Sequence, residues 1–256
     1  MGGIRHSVIR LPVDSPYGKK YNTDMKTNIL YETPSFLVCE KPAGLAVQTV
    51  SGYQADMVSE LKNYLCIKTG RKNPYVGLVH RLDQPVEGLL AVACTKDGAA
   101  ELSRQLADGR LRKKYLAVLE GVPAQREGVL ANWLSKDGKH NLAQVWEDQV
   151  PGARQAQLSY RILEESAGLS LAEIRLCTGR FHQIRAQMAH MGFPLAGDVK
   201  YGAKRAGIQG VALCAYYLAL YETVAGKEQA FVMEPHHKLF AEFADRVREL
   251  LLQKRI

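Results

Sequence analysis

The approach to one apolar run constrains this chain more than any other feature. Residues 89–94 have the length and composition of a buried strand. His80, Arg81 and Asp83 crowd into the few positions before it, bracketed by Gly77 and Gly88 and flanked by Leu78 and Val79. Polar side chains buried beside a strand cost free energy unless each is paired or put to use. An Arg81–Asp83 ion pair at a strand end would meet that condition. A functional site would meet it equally well, and this segment alone does not choose between them.

Turn residues and periodicity fill in the rest. Residues 29–31 and 36–39 read as short strands about a turn at Thr33-Pro34, and Lys41-Pro42-Ala43-Gly44 as a tight loop. Met57, Leu61, Tyr64 and Leu65 recur at helical spacing over 55–67, and 99–106 reads as a second helix. Residues 114–120 form a strand with Tyr115, Ala117 and Leu119 on one side. Several strands follow between 127 and 176, with turns at Asp137-Gly138 and Ala167-Gly168. A helix over 180–191 would put Phe181, Ile184, Met188 and Met191 on one face and His182, Arg185 and Ala189 on another. Strands at 211–222 and near 229–233 and a terminal helix at 237–252 complete the pattern. Strands outnumber helices and several adjoin by turns, which predicts an α+β fold with a mixed, mostly antiparallel sheet flanked by helices. No repeat or Gly/Ser linker divides the chain, so the expected organisation is a polar arm at 1–27 and one domain at 28–256.

Bulk properties set outer limits. The 256 residues are 46% hydrophobic, enough for a real core, and the formal net charge of +8 leans the surface towards polyanions. An ordinary basic soluble protein would have the same balance. The five cysteines, Cys39, Cys66, Cys94, Cys177 and Cys214, are odd in number, lack a C-x-x-C pair and sit among apolar residues. They are expected to be buried free thiols in a reducing compartment. Arg5, His6, Arg10 and Asp14 interrupt any apolar leader, and no stretch approaches the roughly 18 apolar residues of a membrane span. The expectation is a cytoplasmic protein with no membrane association. His236-His237 has no further ligands at metal spacing, so no metal site is expected.

Five motifs then occur in order: Lys41-Pro42-Ala43-Gly44; His80-Arg81-Leu82-Asp83; Lys113-Lys114-Tyr115-Leu116-Ala117; Gly179-Arg180-Phe181-His182-Gln183-Ile184-Arg185; and a run from Gly192 through Pro194, Gly197, Asp198 and Tyr201 to Gly202. Together they resemble the RluA-type pseudouridine synthases, whose members carry K-P-x-G, H-R-L-D, K-x-Y-x-A, G-R-x-H-Q-I-R and G-x-P-x-x-G-D-x-x-Y-G. The resemblance covers about residues 28–240. It implies the pseudouridine synthase catalytic fold with a central active-site cleft, RNA as partner (ribosomal or transfer RNA) and no obligatory protein partner. It assigns catalysis to Asp83, Tyr115 and Arg185. Substrate contacts are expected from His80, Arg81, Lys113, Lys114, Arg180, His182 and Gln183.

The chemistry accords with those residue types. Pseudouridylation breaks the N1–C1′ bond of uridine, turns the uracil and joins C5 to C1′, with no external electron or group donor and hence no cofactor. It needs an ionised carboxylate at the sugar, the part of Asp83. A nearby cation keeps such a carboxylate charged, and the resemblance gives this part to Arg185, for which Asp198 is an alternative partner. Tyr115 offers an aromatic platform and a hydroxyl. Turning a base out of its stack costs a few kcal/mol, and the resemblance gives Arg81 the part of filling the vacated space, which a flat guanidinium suits. Each residue has a plainer reading: Asp83 as a structural ion-pair partner, Tyr115 as a core aromatic, His182 as a helix-start packing residue, and the Arg110-Arg112-Lys113-Lys114 cluster as a solvated edge.

Two departures stand out. Where the family continues H-R-L-D with x-x-T-S-G, this chain has Gln84-Pro85-Val86-Glu87-Gly88, losing two hydroxyls and gaining a carboxylate. The family's frequent N-terminal S4 domain is not expected, because too few residues precede the K-P-x-G motif. A catalytically silent RNA-binding or chaperone protein on the same fold is the competing class. A nucleoside hydrolase is the third, and the metal-binding Asp cluster it calls for is not found in the sequence.

Overall fold

A computed structural model describes residues 25–49 and 55–253. The arm expected at 1–27 therefore lies outside the described residues apart from Met25, Lys26 and Thr27. In chain order the elements are β1 (Asn28–Glu32), β2 (Phe36–Lys41), α1 (Met57–Thr69), β3 (Gly77–Leu78), β4 (Glu87–Ala93), α2 (Lys96–Ala107), β5 (Arg112–Glu120), β6 (Glu127–Asp137), β7 (Leu142–Trp146), β8 (Arg154–Ser166), β9 (Leu169–Leu176), α3 (Gln183–His190), β10 (Leu213–Glu222), β11 (Lys227–Val232) and α4 (Ala244–Gln253). Short 3₁₀ turns occupy Val199–Tyr201 and Lys238–Phe243. The fold is α+β, as the strand-rich pattern predicts. No helix among the described residues is long and apolar enough to cross a membrane.

The chain divides into two compact units. The first holds the described residues up to 112, with 216–233 and those from 251 onward. Its strands run in the order β1, β2, β4, β10, β11, with β3 also on β4. β2 and β4 are antiparallel, with Lys41 opposite Gly88, and every residue of β4 is buried. That full burial explains why 89–94 reads as an unbroken apolar run rather than an alternating one. The N-cap of α1 is Asp56, whose carboxylate accepts from Ser59 N–H at 2.7 Å, and its C-cap Gly70 is left-handed at φ 72°. Its buried face carries the Met57, Leu61, Tyr64 and Leu65 predicted from spacing. In α2, a Cβ on Gly98 would lie 2.3 Å from Ser35 O, so only glycine fits there.

The second unit holds 113–215 and 234–250. Its strands run β5, β9, β8, β6, β7, each antiparallel to the next. Ala167 and Gly168 both have positive φ, 48° and 74°, giving the two-residue hairpin that joins β8 to β9. α3 packs Ala186 against Leu134, Ala143 and Ala156.

Two sequence expectations change on contact with the structure. α3 begins at Gln183 rather than near 180, because His182 is left-handed at φ 50° and turns the chain before the helix starts. The predicted face assignments of Phe181 and His182 therefore do not hold: their rings stack on each other, centroids 3.8 Å apart. Of the five free cysteines, Cys39 and Cys214 are buried and Cys66 and Cys94 partly so, but Cys177 is exposed. It follows the last residue of β9, where the chain leaves the sheet, so its apolar neighbours do not enclose it.

Candidate active site

In the first unit, residues 79–86 link β3 to β4. His80 and Leu82 face inward, Asp83 is half-buried and Arg81 is exposed. His80 Nε2 accepts the Ala91 N–H of β4 at 3.1 Å, which puts the imidazole proton on Nδ1. His80 is thus an anchor for the loop, and Arg81 between two anchored neighbours projects to solvent. The loop closes after Asp83 with Val86 N–H donating to Asp83 O at 3.0 Å.

The K-P-x-G loop grips the residue that follows Asp83. Gln84 O accepts from Gly44 N–H at 2.8 Å and from Lys41 Nζ at 3.1 Å, and Gln84 Nε2 donates to Gly44 O at 3.1 Å. Gly44 is left-handed at φ 85°, the conformation this return requires of a glycine. Lys41 is fully buried, and its Nζ also donates to Pro42 O at 2.9 Å and Leu45 O at 2.7 Å. An ammonium has three N–H donors, so all three are spoken for by carbonyls. Burial pushes Lys41 down to about 8, and the negative charges of Asp83 and Glu87 oppose that fall. Val86 and Glu87, which replace the family's hydroxyl pair, are 2% and 4% exposed. Lys41 and Glu87 had no role assigned from sequence; a lysine at a strand end ordinarily reads as surface.

In the second unit, Tyr115 lies on β5 opposite Ile174 of β9 and is 4% exposed. Lys113 shares its face and Lys114 points the other way, because side chains alternate along a strand. Lys114 Nζ pairs with Glu173 at 3.2 Å, and Arg161 approaches the same carboxylate at 3.7 Å. Lys113 is half-buried, and burial lowers its pKa to about 8. The basic cluster read from sequence is therefore divided. In the first unit Arg110 pairs with Asp108 at 2.7 Å and Arg112 with Glu228 at 2.6 Å.

At the start of α3, Arg180 is partly exposed and its Nε donates to Gln155 O at 2.8 Å. Gln183 is 3% exposed and its amide is used internally. The oxygen accepts from Arg180 N–H and Thr178 Oγ1, and the nitrogen donates to Gln157 O and Gln187 Oε1. Arg185 makes two parallel bonds to Asp198, Nε to Oδ2 at 2.7 Å and Nη2 to Oδ1 at 2.8 Å. Its guanidinium also lies 5.1 Å from the centroid of Tyr201. The Tyr201 hydroxyl accepts Ala143 N–H at 2.7 Å and lies 2.9 Å from His182 Nδ1. Burial first, then the cations Arg185, Lys200 and Lys136, push His182 down to about 3. At neutral pH it is an uncharged imidazole. Asp198 and Tyr201 both come from the G-D-x-x-Y-G run, which braces α3 from one side. Gly197 permits the close turn there, since a Cβ on it would meet Gly210 O at 2.1 Å.

Two solved structures that share this fold are pseudouridylate synthase domains. Human RNA Pseudouridylate Synthase Domain Containing 4 superposes with a TM-score of 0.69 at 23% identity, covering 86% of this chain and 93% of that one. Human RNA Pseudouridylate Synthase Domain Containing 1 gives 0.65 at 21%, covering 81% and 83%. The fold is thus that of a pseudouridine synthase. The profile described as RNA pseudouridylate synthase matches residues 35–190, and the chain belongs to that family. Ribosomal large subunit pseudouridine synthase D of Pseudomonas aeruginosa is 33% identical over 204 residues, 78% of this chain and 62% of that protein. The proteins of that name from Nitrosomonas europaea and Zymomonas mobilis are 34% and 33% identical, over 68% and 82% of this chain. The chain spans 49% of the first of these and 70% of the second.

Proposed function

We propose that this chain is an RNA pseudouridine synthase, an isomerase that converts specific uridines of structured RNA to pseudouridine with Asp83 as its carboxylate. The observation that carries the reading is the family match across residues 35–190, a span that contains the K-P-x-G, H-R-L-D, K-x-Y-x-A and G-R-x-H-Q-I-R motifs. Ribosomal RNA is the favoured substrate over transfer RNA, because several relatives are named as ribosomal large subunit synthases.

Asp83 acts at the sugar while the N1–C1′ bond breaks and C5–C1′ forms; the proton lost from C5 is matched by one gained at N1, so nothing external is consumed. Tyr115 is the aromatic partner for the detached uracil, and Arg185 the cation that favours the ionised carboxylate. The exposed Arg81, carried between the inward-facing His80 and Leu82, takes the space of the turned-out base. Lys113, Lys114, Arg180 and His182 serve the RNA backbone, His182 without a charge. Gln183 shapes the start of α3 rather than reaching substrate. Incubating the protein with uridine-labelled structured RNA separates the outcomes: pseudouridine supports the reading, unchanged RNA indicates a binding protein, and free uracil indicates a hydrolase.

A further inference from the structure

We propose that the loop of residues 197–211, held in shape by Glu120, is a second RNA-contacting surface, whose Lys200, Lys204 and Arg205 take the phosphate backbone beside the target uridine. The proposal rests on the reading of this chain as an enzyme acting on RNA, and the loop contains none of the substrate residues named above.

The loop is closed and braced at both ends. Ala212 N–H donates to Ala196 O at 3.0 Å, and a Cβ on Gly197 would meet Gly210 O at 2.1 Å, so its two ends run side by side. A compact surface loop with adjoining ends is an Ω-loop, a form frequently put to functional use. Near its start, Tyr201 N–H and Ala203 N–H return to Asp198 O at 2.9 and 3.2 Å, and the Asp198 carboxylate holds Arg185. The loop is thereby continuous with the start of α3. Near its end, Lys238 Nζ donates to Gly207 O at 3.2 Å and His237 Nε2 lies 2.9 Å from Gln209 O. In the middle, the last residue of β5 takes hold: Glu120 Oε2 accepts Lys204 N–H at 2.7 Å and Oε1 accepts Arg205 N–H at 3.0 Å. Two successive backbone N–H groups form a small anion-binding nest, and Glu120 fills it.

Charge gives the loop its partner. Residues 199–211 include Lys200, Lys204 and Arg205 and no acid, and all three cations are exposed. The nearest acid in sequence, Asp198, is buried against Arg185. Glu120 bonds the backbone of Lys204 and Arg205, which fixes the turn from which their side chains project. Arg205 Nη1 donates to Ala167 O at 3.2 Å, using one of five guanidinium donors. Exposed cations on a braced loop suit phosphates spaced along a polyanion, where such contacts set position rather than sequence. Glu120 follows Tyr115 by five positions on one strand, about 17 Å at 3.4 Å per residue. The loop therefore meets RNA to one side of the target uridine.

Binding of a structured ribosomal RNA fragment over a range of salt tests the proposal. Lys204→Ala/Arg205→Ala should flatten log affinity against log salt by roughly 1.4–1.8, the value for two phosphates. Lys62→Ala/Lys72→Ala removes the same charge from two exposed lysines outside the loop and should leave the slope in place. An unchanged slope in the loop variant overturns the proposal. So does equal flattening by both variants, which would report net charge alone. Lys204→Gln, a single change at an exposed position, should flatten the slope about half as much and carries the test if the double variant folds poorly. Glu120→Gln checks the hold on the loop. Net charge alone predicts tighter RNA binding for it, whereas an amide offers one oxygen where the carboxylate offers two, so a loosened loop predicts weaker binding; tighter binding overturns the proposal. A wild-type protein that neither binds RNA nor makes pseudouridine overturns the activity reading and this proposal with it. An active wild type with an unmoved loop variant overturns the proposal alone.

Discussion

Arg185 and Asp198 form a two-pronged, buried ion pair, with their side chains 5% and 1% exposed. Arg185 is the last residue of the G-R-x-H-Q-I-R motif, and Asp198 belongs to the next motif in sequence. The pair gives the fifth motif a physical purpose: it fixes the guanidinium plane, and Tyr201 from the same run lies against its face.

Breaking that pair from one side should be costly. Asp198→Ala leaves a guanidinium in a site with little water, and a loss of about 3–5 kcal/mol is expected. Urea denaturation of Asp198→Ala against the double variant Arg185→Met/Asp198→Leu checks it. The double variant should be the more stable of the two; a lower midpoint for the double variant would contradict a buried, mutually dependent pair.

The imidazole of His182 gives a pH prediction. Its pKa is depressed to about 3 against an ordinary value of 6.5, first by burial and then by neighbouring cations. Between those values the unfolded chain binds a proton that the folded chain excludes, so the contribution to stability is complete above about pH 6.5 and lost as pH falls towards 3. His182→Asn retains a residue tolerant of the left-handed backbone and should lose that part of the acid sensitivity. Denaturation midpoints of both proteins from pH 4 to 8 should converge as the pH falls. Parallel curves would show that His182 is not held neutral.

Salt dependence should distinguish the two lysines of β5. Each phosphate neutralised steepens log affinity against log salt by roughly 0.7–0.9. Lys114 is already paired with Glu173, whereas Lys113 shares the face of Tyr115. Lys113→Ala should flatten the slope by about one phosphate, and Lys114→Ala by clearly less. Equal flattening would show that the Glu173 pair opens on RNA binding.

The sequence made the elements readable where local signals dominate. The apolar run of β4, the spacing of α1 and the turn at Ala167-Gly168 all lie where their residue types put them. α3 starts later than the spacing predicts because His182 is left-handed, and a single histidine does not mark that backbone in the sequence. Gln183 looks like a substrate ligand as a sequence position, yet four internal hydrogen bonds occupy its amide. The burial of Lys41 is not legible in its loop motif, because it depends on Gln84, which no periodicity connects to it. Charge pairing across strands, as in Lys114–Glu173, is likewise set by register and not by neighbours in sequence. The residue types of the site were legible; the assignments of which are anchors and which face outward were not.

Asp83 is the residue proposed to carry the chemistry of a pseudouridine synthase. Asp83→Asn preserves size and removes the charge, and the Gln84 clamp that holds its loop uses none of the Asp83 side chain. Single-turnover conversion of uridine-labelled ribosomal RNA should be readily measured for the wild type and undetectable for Asp83→Asn, with RNA affinity at fixed salt largely unchanged. Clear conversion by pure Asp83→Asn protein would contradict the account.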